Sequence, residues 1–139
     1  MLTITKSFEF CASHRLFNPD WSDEKNFEIY NKCSNPSYHG HNFKLEVSIS
    51  GEVSPDTGMI INLSELDKIV KKEIVDELDH KNLNKDVPWI DTKIVSLENL
   101  IQIIWDKINQ SLAKEAPKVR LEQILLWETS KIFAKITRD

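Results

Sequence analysis

The sequence predicts a single α+β domain in which two helices cover one face of a four-stranded antiparallel sheet. Two segments with period-two hydrophobic alternation lie near the N-terminus, and two more lie at the C-terminus. Two amphipathic segments with helical spacing lie between these pairs. No repeat or low-complexity linker divides residues 1–139, so the chain is expected to form one domain. The order β-β-α-α-β-β is typical of an antiparallel sheet with its helices on one face.

The first two predicted strands cover residues 2–14 and 39–51. In residues 2–14 the apolar positions share one parity and end at His14, whereas polar residues occupy the other parity. The run from Phe43 to Ser50 alternates in the same way and ends at Gly51. Residues 15–38, rich in Asn, Asp, Ser and Pro, are predicted to be a long polar loop. A long irregular segment in a compact domain is usually functional.

The two predicted helices are marked by their caps. Asn62 with Glu65 three residues later has capping-box form, and apolar residues at helical spacing extend this helix to about Leu78. The segment 79–84 breaks that pattern. Ser96 is expected to cap the second helix, whose apolar stripe reaches Leu112. Two further strands are predicted at 119–128 and 131–137.

Composition limits the classes of function. A formal charge of -4 gives no basic face for nucleic acid. Two cysteines without framework spacing indicate free thiols in a reducing compartment. No signal peptide is recognised and no apolar run approaches the roughly 20 residues of a membrane span, so a cytoplasmic protein is expected. A four-stranded sheet keeps two open edges and one bare face, which predicts a closed oligomer.

Three histidines are candidates for one metal site. His39 and His41 are two residues apart on the second strand, so both rings point to its apolar face, and His14 ends the apolar face of the first strand. Three neutral nitrogens with one open position are the pattern of catalytic zinc. Cys33 is the open question, because as a fourth ligand it would make the site a closed structural one. His14 alone could also be an ordinary core histidine.

The motifs together resemble the 6-pyruvoyl-tetrahydropterin synthase family along nearly the whole chain. They are Ser13-His14-Arg15-Leu16, Lys32-Cys33, His39-Gly40-His41-Asn42, Thr57-Gly58-Met59 with Asn62-Leu63, Leu78-Asp79-His80-Lys81-Asn82-Leu83, Asp86-Val87-Pro88, Glu98-Asn99 and Trp127-Glu128-Thr129. The resemblance implies a tunnelling fold, in which three subunits continue one sheet into a barrel and two trimers stack into a homo-hexamer. It also implies active sites shared between neighbouring subunits.

The same resemblance implies roles for individual residues. The substrate would be 7,8-dihydroneopterin triphosphate, and the reaction would eliminate triphosphate. His14, His39 and His41 would hold Zn²⁺ as a Lewis acid. Cys33 would be the base, with Asp79 and His80 of the neighbouring subunit as its relay.

Ring and phosphate recognition follow from the resemblance less completely. Glu128 would anchor the pterin ring, because a carboxylate accepts two parallel hydrogen bonds. Ser96 could donate a hydrogen bond from its hydroxyl to the pterin ring. Leu97, which stands where the family often has threonine, could not. Arg15 and Lys131 are the candidates for binding triphosphate.

Plainer interpretations remain for two of these features. Asp79-His80 could simply end a helix, and Glu128 could be a solvated strand residue.

Two other functions stay open from the sequence. A related activity with the same fold converts the same triphosphate to 6-carboxytetrahydropterin with loss of acetaldehyde, in the deazapurine pathway to queuosine. In that group the cysteine usually lies three residues from the His-Gly-His motif, whereas five residues separate Cys33 from His39 here. The longer spacing favours the pyruvoyl activity. A noncatalytic zinc-binding assembly module is the alternative of another class, but it gives no reason for Cys33, Asp79, His80 and Glu128 to occur together.

Overall fold

The computed structural model describes residues 1–139 as a five-stranded mixed sheet with helices packed on one face. The strand order is β3-β1-β2-β4-β5, and all neighbours are antiparallel except the short parallel pair β1 and β3. None of the helices combines the length and apolar character needed to cross a membrane. In chain order the elements are β1 Thr3–His14, α1 Asp23–Tyr30, a 3-10 turn Asn31–Ser34, β2 His39–Ser50, α2 Leu63–Val70, a π turn Lys71–Val75, α3 Asp76–Leu78, β3 Lys81–Asn82, α4 Leu97–Glu115, β4 Arg120–Thr129 and β5 Ile132–Thr137.

The hydrophobic core lies between the sheet and the helices. In the three central strands, alternate side chains are buried while their neighbours face the other side of the sheet, as the period-two pattern predicts. Residues that are adjacent across the ladder, such as Phe10 and Phe43, stack with ring centroids 5.0 Å apart. Helix α4 supplies a fully buried apolar stripe that includes Leu100, Ile104 and Ile108. The predicted strands and the apolar faces of both predicted helices are therefore confirmed.

The structure confirms the two predicted cap residues, although the Glu65 side chain does not make the return bond of a capping box with Asn62. The side chain of Asn62 accepts a hydrogen bond from the backbone N–H of Ser64 at the start of α2. The Ser96 hydroxyl accepts one from the backbone N–H of Asn99 at the start of α4. Each bond satisfies a donor that has no partner within its own helix.

Two expectations about the fold are wrong in detail. Residues 15–38 are not all loop, because α1 and the 3-10 turn lie within them. Helix α1 escaped the hydrophobic pattern because Phe27 and Ile29 are exposed, and only its amide residue Asn26 is buried. The sheet has five strands rather than four, and it is not purely antiparallel. Strand β3 pairs only Lys81 and Asn82 with β1, which is too short for any alternation to show.

Asn31 has a backbone conformation that suits glycine, with φ 53° and ψ -130° where α1 meets the 3-10 turn. A β-carbon in sparsely populated regions of this kind costs on the order of 1–3 kcal/mol. We expect Asn31→Gly to raise the free energy of unfolding by about 1 kcal/mol, because the relieved strain exceeds the roughly 0.5–1 kcal/mol entropic cost of glycine. Urea unfolding followed by circular dichroism measures the change, and Asn31→Ala, which keeps the β-carbon, should give no gain. A less stable glycine variant would show that Asn31 is unstrained.

Candidate metal centre

The paired ends of β1 and β2 bring three histidines together. In the ladder His14 lies opposite His39, and Ala12 lies opposite His41. Because all three histidines share the parity of the buried face, their rings meet on the helix side of the sheet. The ring centroids of His14 and His39 are 4.7 Å apart, those of His39 and His41 4.9 Å, and those of His14 and His41 5.2 Å. The predicted cluster is therefore present.

The nitrogen atoms of the cluster are arranged as metal ligands would be. His14 Nε2, His39 Nδ1 and His41 Nε2 are buried and have no hydrogen-bond partner. One ligand atom from each histidine lies within 4.8 Å of the other two, so modest ring rotations would allow bonds of about 2.0–2.1 Å to one ion. A buried polar atom without a partner costs about 1–3 kcal/mol. A bound metal ion would remove this cost at all three atoms, so the three residues fit the group.

A hydrogen bond to the backbone fixes the orientation of the His14 ring. Its Nδ1 lies 2.8 Å from the backbone oxygen of Val95 and donates to it when Nε2 is left free. Metal-binding histidines usually donate their other ring nitrogen to an acceptor, which sets the tautomer and the ring orientation. The contact with Val95 could not be predicted from the sequence, because a backbone carbonyl belongs to every residue type. The Glu98-Asn99 motif was the only sequence feature connected with this contact. The Asn99 side-chain amide donates to the Ile94 carbonyl and so holds the loop that carries Val95.

The surroundings favour the uncharged forms of His14 and His41. Burial lowers the pKa of His14 most, partly offset by its bond to Val95, and the neighbouring His39 and His41 lower it further. Burial, followed by the electrostatic effect of the neighbouring His39 ring, also lowers the pKa of His41. Imidazole binds a metal through a neutral nitrogen, so these shifts suit a metal site at neutral pH.

Cys33 is not part of this cluster. It is an exposed free thiol in the 3-10 turn, and the group that could hold a metal ion consists of the three histidines alone. The turn nevertheless lies beside the end of β1, because the backbone N–H of Leu16 donates to the Cys33 carbonyl at 2.8 Å. The arrangement has three imidazoles and an open side, and it differs from the closed structural site that a fourth ligand would give.

Glu128 lies at the edge of the cluster. Its Oε1 is 3.4 Å from His41 Nε2, a short separation but without the geometry of a hydrogen bond. The carboxylate is mostly buried at the end of β4, on the same side of the sheet as the histidines. Leu97 is 7% exposed and packs in the hydrophobic core.

Asp79 and His80 lie at the free edge of β1. The Asp79 carboxylate accepts a hydrogen bond from the backbone N–H of Cys11 and lies 2.9 Å from His80 Nδ1. These bonds, the one from Cys11 first, lower the pKa of Asp79. The His80 side chain is 81% exposed, and its φ of 61° is unusual for a non-glycine residue. The single chain therefore leaves this pair outside its own three-histidine cluster.

The two candidates for triphosphate binding differ in the contacts that their side chains make within the protein. The Arg15 guanidinium donates to the Ser34 carbonyl through Nε at 3.1 Å and through Nη2 at 2.7 Å, so two of its donors already have a partner within the chain. Lys131 is exposed in the turn between β4 and β5.

An α+β fold whose strand ends gather three unpartnered imidazoles beside a carboxylate could hold a metal ion with one side left open, as enzymes with a catalytic metal do. Residues 3–139 match the sequence profile of the 6-pyruvoyl tetrahydropterin synthase family, and the chain belongs to that family. The family consists of lyases that remove triphosphate from a pterin substrate.

Individual relatives agree with this assignment. The 6-pyruvoyl tetrahydrobiopterin synthase of Poecilia reticulata is 44% identical over 128 residues, which are 92% of this chain and 84% of that protein. The solved structure of Caenorhabditis elegans 6-pyruvoyl tetrahydropterin synthase superposes with a TM-score of 0.88 at 31% identity, covering 99% of this chain and 96% of the other. A 6-carboxy-5,6,7,8-tetrahydropterin synthase from Haemophilus influenzae is more distant, with 28% identity over 155 residues that cover 97% of this chain and 98% of the relative.

Proposed function

We propose that this chain converts 7,8-dihydroneopterin triphosphate to 6-pyruvoyl-tetrahydropterin with release of inorganic triphosphate. The observation that carries the proposal is the three-histidine cluster with its unpartnered nitrogens beside the Glu128 carboxylate, in a chain of this family. A ligand set of three neutral imidazoles suits zinc among the common metals, and we propose Zn²⁺ as the ion.

The chemistry needs a polarised substrate oxygen and a base. Zinc, when bound by His14, His39 and His41, would supply a Lewis acid for the oxygens of the substrate side chain. Cys33 would act as the base that removes a carbon-bound proton, since it is an exposed thiol outside the ligand set. Its accessibility and its proximity to the end of β1 support this role.

The pterin ring would bind at Glu128. Its carboxylate can accept parallel hydrogen bonds from the 2-amino group and a ring N–H, which fixes the ring in one orientation. The position of Glu128 at 3.4 Å from His41 Nε2 would place the substrate side chain toward the metal ligands. Ser96 remains a candidate donor, because its hydroxyl accepts from Asn99 and keeps its own hydrogen free.

The proposed relay of Asp79 and His80 would come from a neighbouring subunit. Both residues lie at the β1 edge and outside the cluster of their own chain. β3 pairs only with Ala12 and Ser13, so residues 3–10 of β1 expose an unpaired edge that a second copy could cover. We propose a homo-hexamer with shared sites on this basis. A thiol base also requires reduced cysteine, so we place the protein in the cytoplasm.

The carboxy activity is the second candidate, and the relative from Haemophilus influenzae favours it. Both activities could use the same metal ligands and ring anchor. The five residues between Cys33 and His39 should place the thiol differently over the side chain than three would, and we expect proton removal to prevail over carbon–carbon cleavage.

Incubating the zinc-loaded protein with 7,8-dihydroneopterin triphosphate and identifying products by mass spectrometry tests the proposal. We expect 6-pyruvoyl-tetrahydropterin and triphosphate in equal amounts, with little acetaldehyde. Stoichiometric acetaldehyde with 6-carboxytetrahydropterin would transfer the assignment to the second candidate. Zinc binding without any turnover would instead support the noncatalytic assembly module.

A further inference from the structure

We propose that Arg15, braced by Asn84, is a positioning residue that holds the Cys33 turn against the end of the metal-binding strand. Arg15 directly follows His14, and Cys33 lies in the 3-10 turn that packs beside it. The inference deepens the proposed function and rests on it only for the role of Cys33 as base.

The turn is attached to the strand end at two consecutive carbonyl groups. The Ser34 carbonyl accepts hydrogen bonds from both Nε and Nη2 of Arg15. The Cys33 carbonyl accepts a hydrogen bond from the backbone N–H of Leu16. Ser34 itself is 6% exposed, so these bonds are partly shielded from water. Hydrogen bonds from a charged donor are stronger than neutral ones, and a two-pronged guanidinium also fixes direction. The backbone carrying the thiol therefore has few ways to move relative to His14.

Arg15 is itself held by two neighbouring side chains, those of Asn84 and Phe17. The Asn84 side chain accepts from the backbone N–H of Arg15 at 3.0 Å and donates to its carbonyl at 3.1 Å. This pair of bonds extends the pairing of β3 with β1 beyond the last strand residue. The guanidinium also lies 4.0 Å from the centre of the Phe17 ring, a favourable contact between a cation and an aromatic face.

This geometry separates positioning from substrate binding. Arg15 already gives two of its five N–H donors to Ser34, so triphosphate binding would have to use the other three or break these bonds. If Arg15 positions Cys33, its loss lowers kcat and leaves KM nearly unchanged. If Arg15 binds triphosphate, its loss raises KM. Displacing a reacting group by about 1 Å costs on the order of 10²-fold in rate.

The test compares Arg15→Gln and Arg15→Lys with the wild type in the metal-loaded protein. Amide hydrogen exchange should accelerate about 10-fold or more at Leu16 and Asn35, because a charge-assisted bond is lost next to them. Exchange in the core of β2 should not change. We expect kcat to fall about 10–100-fold with KM within about 3-fold and unchanged metal content. Arg15→Lys should rescue little, because lysine cannot reproduce the two-pronged bond.

Arg138→Gln is the matched control. Its guanidinium also donates to a backbone carbonyl, that of Leu121, and to Asn109, but Arg138 directly follows β5 and neither bond involves the Cys33 turn. This variant should leave exchange at Leu16 and kcat unchanged. Asn84→Ala, an exposed substitution, should give a weaker form of the Arg15 effect and covers the case in which Arg15→Gln does not fold.

Three outcomes would overturn the proposal. They are unchanged exchange at Leu16 and Asn35 in Arg15→Gln, full rescue of kcat by lysine, and a KM increase of more than about 10-fold with kcat retained. A wild-type protein without turnover would defeat the proposed function instead, because the exchange comparison needs no substrate.

Discussion

Replacing His39 with alanine is expected to abolish stable metal binding and, with it, turnover. One of three ligand nitrogens would be lost, and even the loss of a group that only orients a ligand weakens metal binding about 10–100-fold. We expect the affinity for zinc to fall by more than about 100-fold in His39→Ala and further in His39→Ala with His41→Ala. Elemental analysis after dialysis and competition with a chromogenic chelator measure the change.

The chain provides a matched control for this substitution. His80 is the only histidine outside the cluster and is largely exposed, so His80→Ala should bind zinc as the wild type does. Full zinc retention in the double variant His39→Ala with His41→Ala would show that the metal binds elsewhere. Loss of zinc from His80→Ala would show that the cluster does not define the site.

Cys33→Ala is expected to lower kcat by about 10²–10⁴-fold while zinc content and folding stay intact. This range is the usual contribution of a positioned general base. The thiol is exposed and outside the ligand cluster, so its removal should leave no cavity and no unpaired metal ligand. Steady-state kinetics and zinc analysis on the same preparation check both statements. Loss of zinc together with folding would indicate that Cys33 is a ligand after all.

Cys11→Ala is the control for removal of a thiol. Cys11 is also free and exposed, and its contacts with Asp79 and His80 use only its backbone, so the variant should keep full activity.

Mixing inactive Cys33→Ala with inactive His80→Ala subunits tests the shared site. Some activity should return if a thiol from one chain works with a histidine from another. An active protein that sediments as a monomer would contradict that arrangement.

The parts of the fold that the sequence predicted are those with strong side-chain periodicity. His14, His39 and His41 each sit at the end of an alternating apolar face, so shared parity was enough to predict that they meet. The caps at Asn62 and Ser96 were predictable because each uses its own side chain.

The features that were missed are held by backbone groups or by amides. Helix α1 depends on Asn26, whose amide bonds to Asn18 and Ser22, and such a residue leaves no hydrophobic pattern. The only local sign was Ser22 before two acidic residues, which is typical of a helix start. The contacts of Val95 and of the short strand β3 involve main-chain atoms, so no residue type announces them.

The π turn Lys71–Val75 determines the direction in which the chain leaves this helix toward Asp79 and His80. Leu66, Val70, Ile74 and Leu78 are each fully buried at intervals of four residues. At 3.6 residues per turn such a series would rotate by about 40° at every step, and Leu78 would leave the sheet. The wider π turn compensates for this rotation, so that all four side chains stay on the buried face of the helix. Asp79 and His80 follow immediately, so one additional residue in the helix sets the angle at which these two side chains leave it.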